Sequence, residues 1–360
     1  VEPRVRDFDV VVVGAGPAGA LAAARLAALG RAVLLVDRAR FPRDKVCGGC
    51  LQPSALLALE MGGLGGLVER CGGVPLRDLV LHAGKGKARL PLAGGIALSR
   101  RALDLALVEA AVNKGVEFRE GVRARLGPAA GEVILDGIGA VRAGIVLDAT
   151  GLSGGFSGVG PARRGSLLGA GVVLDDAPIP AGTVRMATAP GGYVGIVRAE
   201  GGRSVVAAAL APRLVAREGG LGAAVASILF ACRLPPLPAG LPWRATPPLT
   251  RRPARLWHER VLVTGDAAGY VEPFTGEGMA WALHSGLAAA DLACEGWTED
   301  LGPRWERAHR KLVGSRQRRC RALALLLRAP RLVRVAVQVL GIAPALARPF
   351  VRAAAAGSAP

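Results

Sequence analysis

Apolar residues follow two patterns along this chain. Residues 10–13 (VVVV) are an unbroken β-branched run, the pattern of a parallel strand buried on both faces. Short apolar runs at 32–36, 145–147 and 261–263 repeat it. Between the first two, residues 18–29 have no polar position except Arg25 and are rich in helix formers. A buried helix is predicted there, with Gly30 as its C′ residue. Residues 99–113 instead set Leu103, Leu107, Ala110 and Ala111 on one face, an amphipathic helix with Ser99 as N-cap. Further helices are expected over 53–61, 221–232 and about 279–294, then over 303 to about 328, with helical pieces beyond Pro330.

The second pattern is short strands punctuated by Gly and Pro. They fall at 168–174, 183–187, 192–197 and 204–210, a spacing that suits an antiparallel sheet. Strands at 74–82 and 88–92 flank the turn Gly84-Lys85-Gly86, and 116–118, 132–135 and 140–142 suit a small sheet. Residues 235–248 form an extended, proline-rich return.

The link between the first apolar run and its helix carries chemistry. Gly14, Gly16 and Gly19 form G-x-G-x-x-G, Pro17 sits where a first helical turn tolerates it, and Asp37 ends the second run. The first glycine permits a tight turn, the second lets a pyrophosphate approach the backbone, and the third lets helix and strand pack closely. The helix N-terminus offers free amides to phosphate, and the carboxylate can accept from a ribose hydroxyl. An acid there favours FAD or NAD over NADP.

Charge adds a second feature. The net charge is +18, and residues 301–360 hold 13 of the basic side chains against the single acid Glu306. Such a tail attracts anionic lipid, nucleic acid or an acidic partner. Aromatics are only 4%, so stacking on bases is not expected and no nucleic-acid partner is assigned. The basic region, 311–360, is expected either to touch a membrane surface or to pack as a helical lid with a solvated arginine face. Hydrophobic content is 51% and mean hydropathy +0.36, as in a compact protein. Six scattered cysteines suggest no disulfide framework. No signal peptide and no transmembrane run are seen, so the cytoplasm is expected, with the inner face of the membrane as a site of peripheral contact. The CGGC at 47–50 lacks the further ligands a zinc site needs, so no metal is expected. It is either a pair of buried small residues or a cofactor-facing loop with a functional thiol.

Three blocks stand together: GAGPAG with Asp37, DATG at 148–151, and GDAAGYVEPFTGEG at 265–278. In this order and at these separations they resemble the FAD-dependent oxidoreductases of the para-hydroxybenzoate hydroxylase fold, up to about residue 310. The loop DKVCGGCLQPSALLAL is most similar to the geranylgeranyl reductase branch. The resemblance implies an α/β protein: a Rossmann-like FAD-binding domain, an inserted antiparallel-sheet substrate domain and a C-terminal helical region. On this plan 1–82, 97–165 and 250–310 bind FAD, 83–96 and 166–249 form the substrate domain, and 311–360 the basic helical region.

The resemblance also implies residue roles. Gly14, Gly16, Pro17, Ala18 and Gly19 would cradle the FAD pyrophosphate, and Asp37 and Arg38 would lie at the adenosine ribose. Arg100 would approach the phosphates, and Asp148 and Gly151 match the family's DG-type segment. Gly265 and Asp266 would meet the ribityl chain, and Pro273, Gly276, Glu277 and Gly278 would lie beside the isoalloxazine. Cys47 matches a reductase-branch cysteine near the flavin. Where that branch carries Tyr-x-Trp-x-Phe-Pro, this chain reads GYVGIVR and keeps only Tyr193. No second G-x-G-x-x-G announces a nicotinamide domain, so NAD(P)H or a reduced protein partner is expected to visit as external reductant.

Two chemistries fit: reduction of a carbon–carbon double bond in a hydrophobic small molecule, and monooxygenation of an aromatic, polyketide or isoprenoid one. For the reduction, Cys47, Cys50, Tyr193 and His82 are the candidate proton donors. A non-enzymatic membrane-surface module is the third reading.

Overall fold

The computed structural model describes residues 6–347 apart from 155, 157, 159, 176–178, 253–254, 273, 275 and 327. The helices are α1 (Pro17–Ala28), α2 (Pro53–Met61), α3 (Leu67–Arg70), α4 (Arg100–Val112), α5 (Pro212–Glu218), α6 (Leu221–Ala231), α7 (Gly278–Ala293), α8 (Leu301–Leu326) and α9 (Pro330–Ile342).

The all-apolar runs become neighbouring strands, as their two-sided burial requires. Across the first sheet the order is Trp257–His258, Val261–Val263, Gly139–Asp148, Arg6–Val13, Val33–Asp37 and Glu117–Glu120. From Val261–Val263 to Glu117–Glu120 every pairing is parallel. Leu21, Leu26, Leu103, Leu107, Leu283 and Trp305 pack in one core on a face of this sheet. α7 lies directly on α1 because Gly286 has no Cβ; one would stand 2.3 Å from the Ala18 carbonyl oxygen.

The second sheet runs Arg244–Pro248, Leu168–Leu174, Ser204–Leu210, Gly192–Arg198, Thr183–Ala189, Asp78–Ala83 and Gly86–Pro91. One face is covered by α5 and α6, where Val194, Ile196 and Val206 meet Val225, Ile228 and Leu229. The opposite face turns toward the first sheet. No single helix among the described residues is long and apolar enough to cross a membrane.

Three expectations change. Residues 140–142 and 145–147 are one ten-residue strand, Gly139–Asp148, because the pairing with Arg6–Val13 continues from Ala143 opposite Phe8 to Ile145 opposite Val10. α5 was not expected; Pro212 sits at its first turn, where proline starts a helix rather than breaking one. The boundary expected after residue 82 falls inside Asp78–Ala83, which pairs with Thr183–Ala189 in the second sheet.

Candidate active site

A cavity of about 830 Å³ lies between the two sheets. Its nucleotide end begins where Arg6–Val13 hands over to α1. Gly14 turns with φ +104°, and a Cβ there would sit 2.4 Å from the Ala149 carbonyl oxygen. A Cβ on Gly19 would lie 1.9 Å from the Gly14 carbonyl oxygen, so only glycine lets α1 close on the strand. Gly19 therefore works beneath the cavity, whereas Gly14, Gly16, Pro17 and Ala18 line it. Gly16 is the N-cap of α1 and no side chain caps it, which leaves the first amides for a ligand.

The charged side chains here form one network. Asp37 accepts from the Ala15 and Ala39 amides at 2.8 Å each and pairs with Arg43 at 3.3 Å. Arg100 grips Asp104 through two bonds of 2.7 and 2.8 Å, and Arg43 reaches the same carboxylate at 3.3 Å. Asp104 is fully buried. Burial works against the Arg100 charge, but Asp104 beside it holds the guanidinium above its ordinary range. Lys45 is pushed down to about 8 by burial and by the neighbouring Arg100 and Arg43, against the pull of Asp266 and Asp104. Burial raises Asp266 in turn, with Lys45 and Arg100 opposing it.

This arrangement fits FAD. The open space over Gly16 faces two guanidiniums: a Cβ there would meet only Arg100 and Arg43, at 3.6 and 3.9 Å. Arg43 Nε is buried without a hydrogen-bond partner. A helix N-terminus with two guanidiniums and Lys45 around it is what a pyrophosphate neutralises. Asp37 and Arg38 line the adjoining stretch, and Arg100, Gly151, Gly265, Asp266, Gly276 and Gly278 line the cavity farther along.

Two expected contacts lie elsewhere, and a third falls on a residue that is not described. Asp148 does not line this cavity; it accepts from the Thr150 amide and hydroxyl at 3.0 and 2.6 Å and shapes the turn that presents Gly151. Glu277 also stays off the lining and accepts from the Cys320 thiol of α8 at 3.1 Å. Pro273 lies outside the described residues.

The far end of the cavity is apolar. Strand alternation turns Val184, Met186, Tyr193 and Val197 toward it, with Gly195 and Ala207 between them. The Tyr193 ring meets Phe274 edge-on at 5.0 Å. Burial, with Glu272 and Cys320 nearby, raises the Tyr193 phenol well above its usual value, so it stays protonated. Cys47 and Cys50 both line the cavity, and burial beside Cys47 pushes the Cys50 thiol up to about 12. His82 is not at the cavity. Its carbonyl accepts from Thr188 and Cys232, and burial lowers its imidazole. Among the described residues no cluster could hold a metal ion, and none of the six cysteines is in a disulfide.

Four residues escaped the sequence reading: Arg43, Lys45, Asp104 and Glu272. The Arg100–Asp104 spacing of four on a predicted helix was a signal for one of them. Glu272 is 2% exposed, its Oε2 has no partner, and burial pushes it up to about 7. Nothing in its sequence neighbourhood announces that.

Fold and cavity together define a flavoprotein of the para-hydroxybenzoate hydroxylase class. Residues 7–127 match the FAD binding domain family. The menaquinone reductase of Mycobacterium tuberculosis is 61% identical over 57 residues, 16% of this chain and 14% of that relative's length. Digeranylgeranylglycerophospholipid reductase 1 of Methanopyrus kandleri is 31% identical over 318 residues, 82% of each chain. A solved flavin-dependent brominase superposes with TM-score 0.77 at 17% identity, over 97% of this chain and 93% of its own, which shows a shared fold. The chain belongs to the geranylgeranyl reductase-like family of FAD-dependent oxidoreductases.

Proposed function

We propose that this FAD-dependent oxidoreductase reduces a carbon–carbon double bond in the polyprenyl part of a lipid-like molecule. The observation that carries the reading is the apolar end of the cavity. Tyr193 supplies the only hydroxyl among Val184, Met186, Tyr193, Gly195, Val197 and Ala207, so that wall suits a chain with no polar groups of its own. The reductase names of the Mycobacterium tuberculosis and Methanopyrus kandleri relatives support the same reading.

When bound, reduced FAD would supply the hydride equivalent. Gly14, Gly16, Pro17, Ala18, Arg43, Lys45 and Arg100 would hold its phosphates, with NAD(P)H or a reduced protein partner as the external reductant. The protein's own part is to exclude water, align the alkene and deliver a proton to its second carbon. Tyr193 is the candidate donor at the apolar wall, since it lines the cavity there and its ring is set edge-on against Phe274. Cys47 lies on the cavity wall as the second candidate.

The test is anaerobic single turnover of the reduced holoenzyme with menaquinone or an unsaturated digeranylgeranyl glycerophospholipid. The expected product gains two hydrogens in the side chain. A product formed only with oxygen, and carrying one oxygen atom from it, would establish monooxygenation instead.

A further inference from the structure

Among the described residues, α9 is held by one side only. Val333, Val337 and Leu340 pack on Leu81, Ala83 and Ala88 of the hairpin formed by Asp78–Ala83 and Gly86–Pro91. Leu79, two residues before Leu81 on the same strand face, lines the cavity. The helix thus covers the continuation of the sheet face that walls the apolar end of the site. Its other side is apolar too: Leu332, Val335, Val339 and Ile342 are exposed at 61%, 57%, 43% and 87%. Their spacing of three, four and three places them in one stripe along the helix. Leu346, just beyond, is also exposed.

Basic groups border this stripe. Arg331 and Arg334 are exposed on α9, and Lys85 and Lys87 are exposed on the hairpin turn. The turn touches the helix: Cβ atoms placed on Gly84 and Gly86 would stand 3.3 Å from Arg334 and 3.2 Å from Gln338. The sequence carries no Asp or Glu after Glu306, so the C-terminal region brings no acid of its own to neutralise them.

We propose that α9 and the Gly84–Lys87 turn form a docking surface for an anionic phospholipid bilayer. The apolar stripe enters the acyl boundary and the four cations meet the headgroups. Charge decides the occupant. A second copy of the chain would bring the same cations against these, and a nucleic acid offers nothing to the apolar stripe. Docked this way, the protein holds the wall of its apolar cavity against the phase in which polyprenyl lipids dissolve.

Vesicle binding is read without turnover, so this surface can fail while the proposed reduction stands, and the reverse. The test is co-sedimentation of the full-length holoprotein with vesicles of phosphatidylcholine alone and of phosphatidylcholine with phosphatidylglycerol, following bound FAD by absorbance. The wild type is expected to favour the phosphatidylglycerol vesicles. The double variant Val335→Asp, Ile342→Asp should lose at least about tenfold in partitioning while keeping its FAD. Arg331→Glu with Arg334→Glu should lose about as much on the anionic vesicles and little on the neutral ones. Equal binding to both vesicle types, or variants that sediment like the wild type, would overturn the proposal. A wild-type dimer that the two aspartates dissociate, with no vesicle binding, would overturn it as well and assign the stripe to a second copy.

Discussion

At the nucleotide end of the cavity, Asp37, Arg43, Arg100 and Asp104 fix one another through short ion pairs over backbone so tight that no Cβ fits at Gly14 or Gly19. At the other end Gly195 and Ala207 leave room, and Tyr193 rests on a single ring contact with Phe274. The first region binds a group whose shape never varies, and low tolerance there is compatible with function. On the proposed function the second would admit a long flexible chain, and it is built from side chains that can give way. Substitutions of similar size should therefore have very different consequences at the two ends.

The sharpest contrast is Gly19→Ala against Gly195→Ala. A methyl on Gly19 lies 1.9 Å from a backbone oxygen, so α1 must separate from its strand. A loss exceeding about 4 kcal/mol is expected, with little holoprotein recovered. A methyl on Gly195 meets the Met186 sulfur at 2.8 Å, and that side chain can swing away. Denaturant melts should show a loss of about 1 kcal/mol and full FAD content for Gly195→Ala. Equal losses at the two sites would remove the distinction between a rigid and a yielding end.

Next in size is Asp104→Asn. It leaves Arg100 buried and removes one partner of Arg43. Breaking a buried pair from one side costs about 3–5 kcal/mol. The apoprotein should lose stability by that order, and added FAD should recover part of it, because phosphate supplies the missing negative charge. An apoprotein as stable as the wild type would show that the network is not structural.

Tyr193→Phe tests the apolar end. The ring contact with Phe274 is kept and only the hydroxyl goes. Proton delivery is typically worth about 10²-fold or more, so kcat should fall by that order with the flavin spectrum and thermal midpoint unchanged. An unchanged kcat would move the role of donor to Cys47.

The nucleotide end was legible because its chemistry is local. Three glycines, a strand on each side and an acid at the right distance constrain one another within thirty residues, from Asp9 to Arg38. The apolar end is assembled from strands far apart in the sequence, with Leu79 paired to Val184 and Tyr193 to Ala209. Which residues share a face follows from register, and register is set by pairings that a single sequence does not print. His82 shows the cost: its side chain chemistry suited a donor, but its strand position turns it away from the cavity. Asp148 and Glu277 were found by motif and then proved to support neighbouring backbone or α8 rather than to face the cavity.

Glu272 belongs to neither end's sequence signature, and its effect shows only as pH changes. Burial raises its carboxyl from the ordinary 4.5 to about 7, and Arg328 only partly opposes that. The folded state thus favours the neutral acid. Below the unfolded value both states hold the proton and nothing is lost. As pH rises from 4.5 to 7 the unfolded chain releases a proton that the folded protein keeps, so stability falls across that interval and levels off above it. The full difference is on the order of 3 kcal/mol between pH 4.5 and pH 8. Glu272→Gln keeps the shape and removes the titration. The variant should gain on the wild type as pH rises across that window and match it near pH 4.5. Parallel melting curves for the two proteins over the whole window would show that this carboxyl is solvated, and that the apolar end is wetter than the packing around Tyr193 implies.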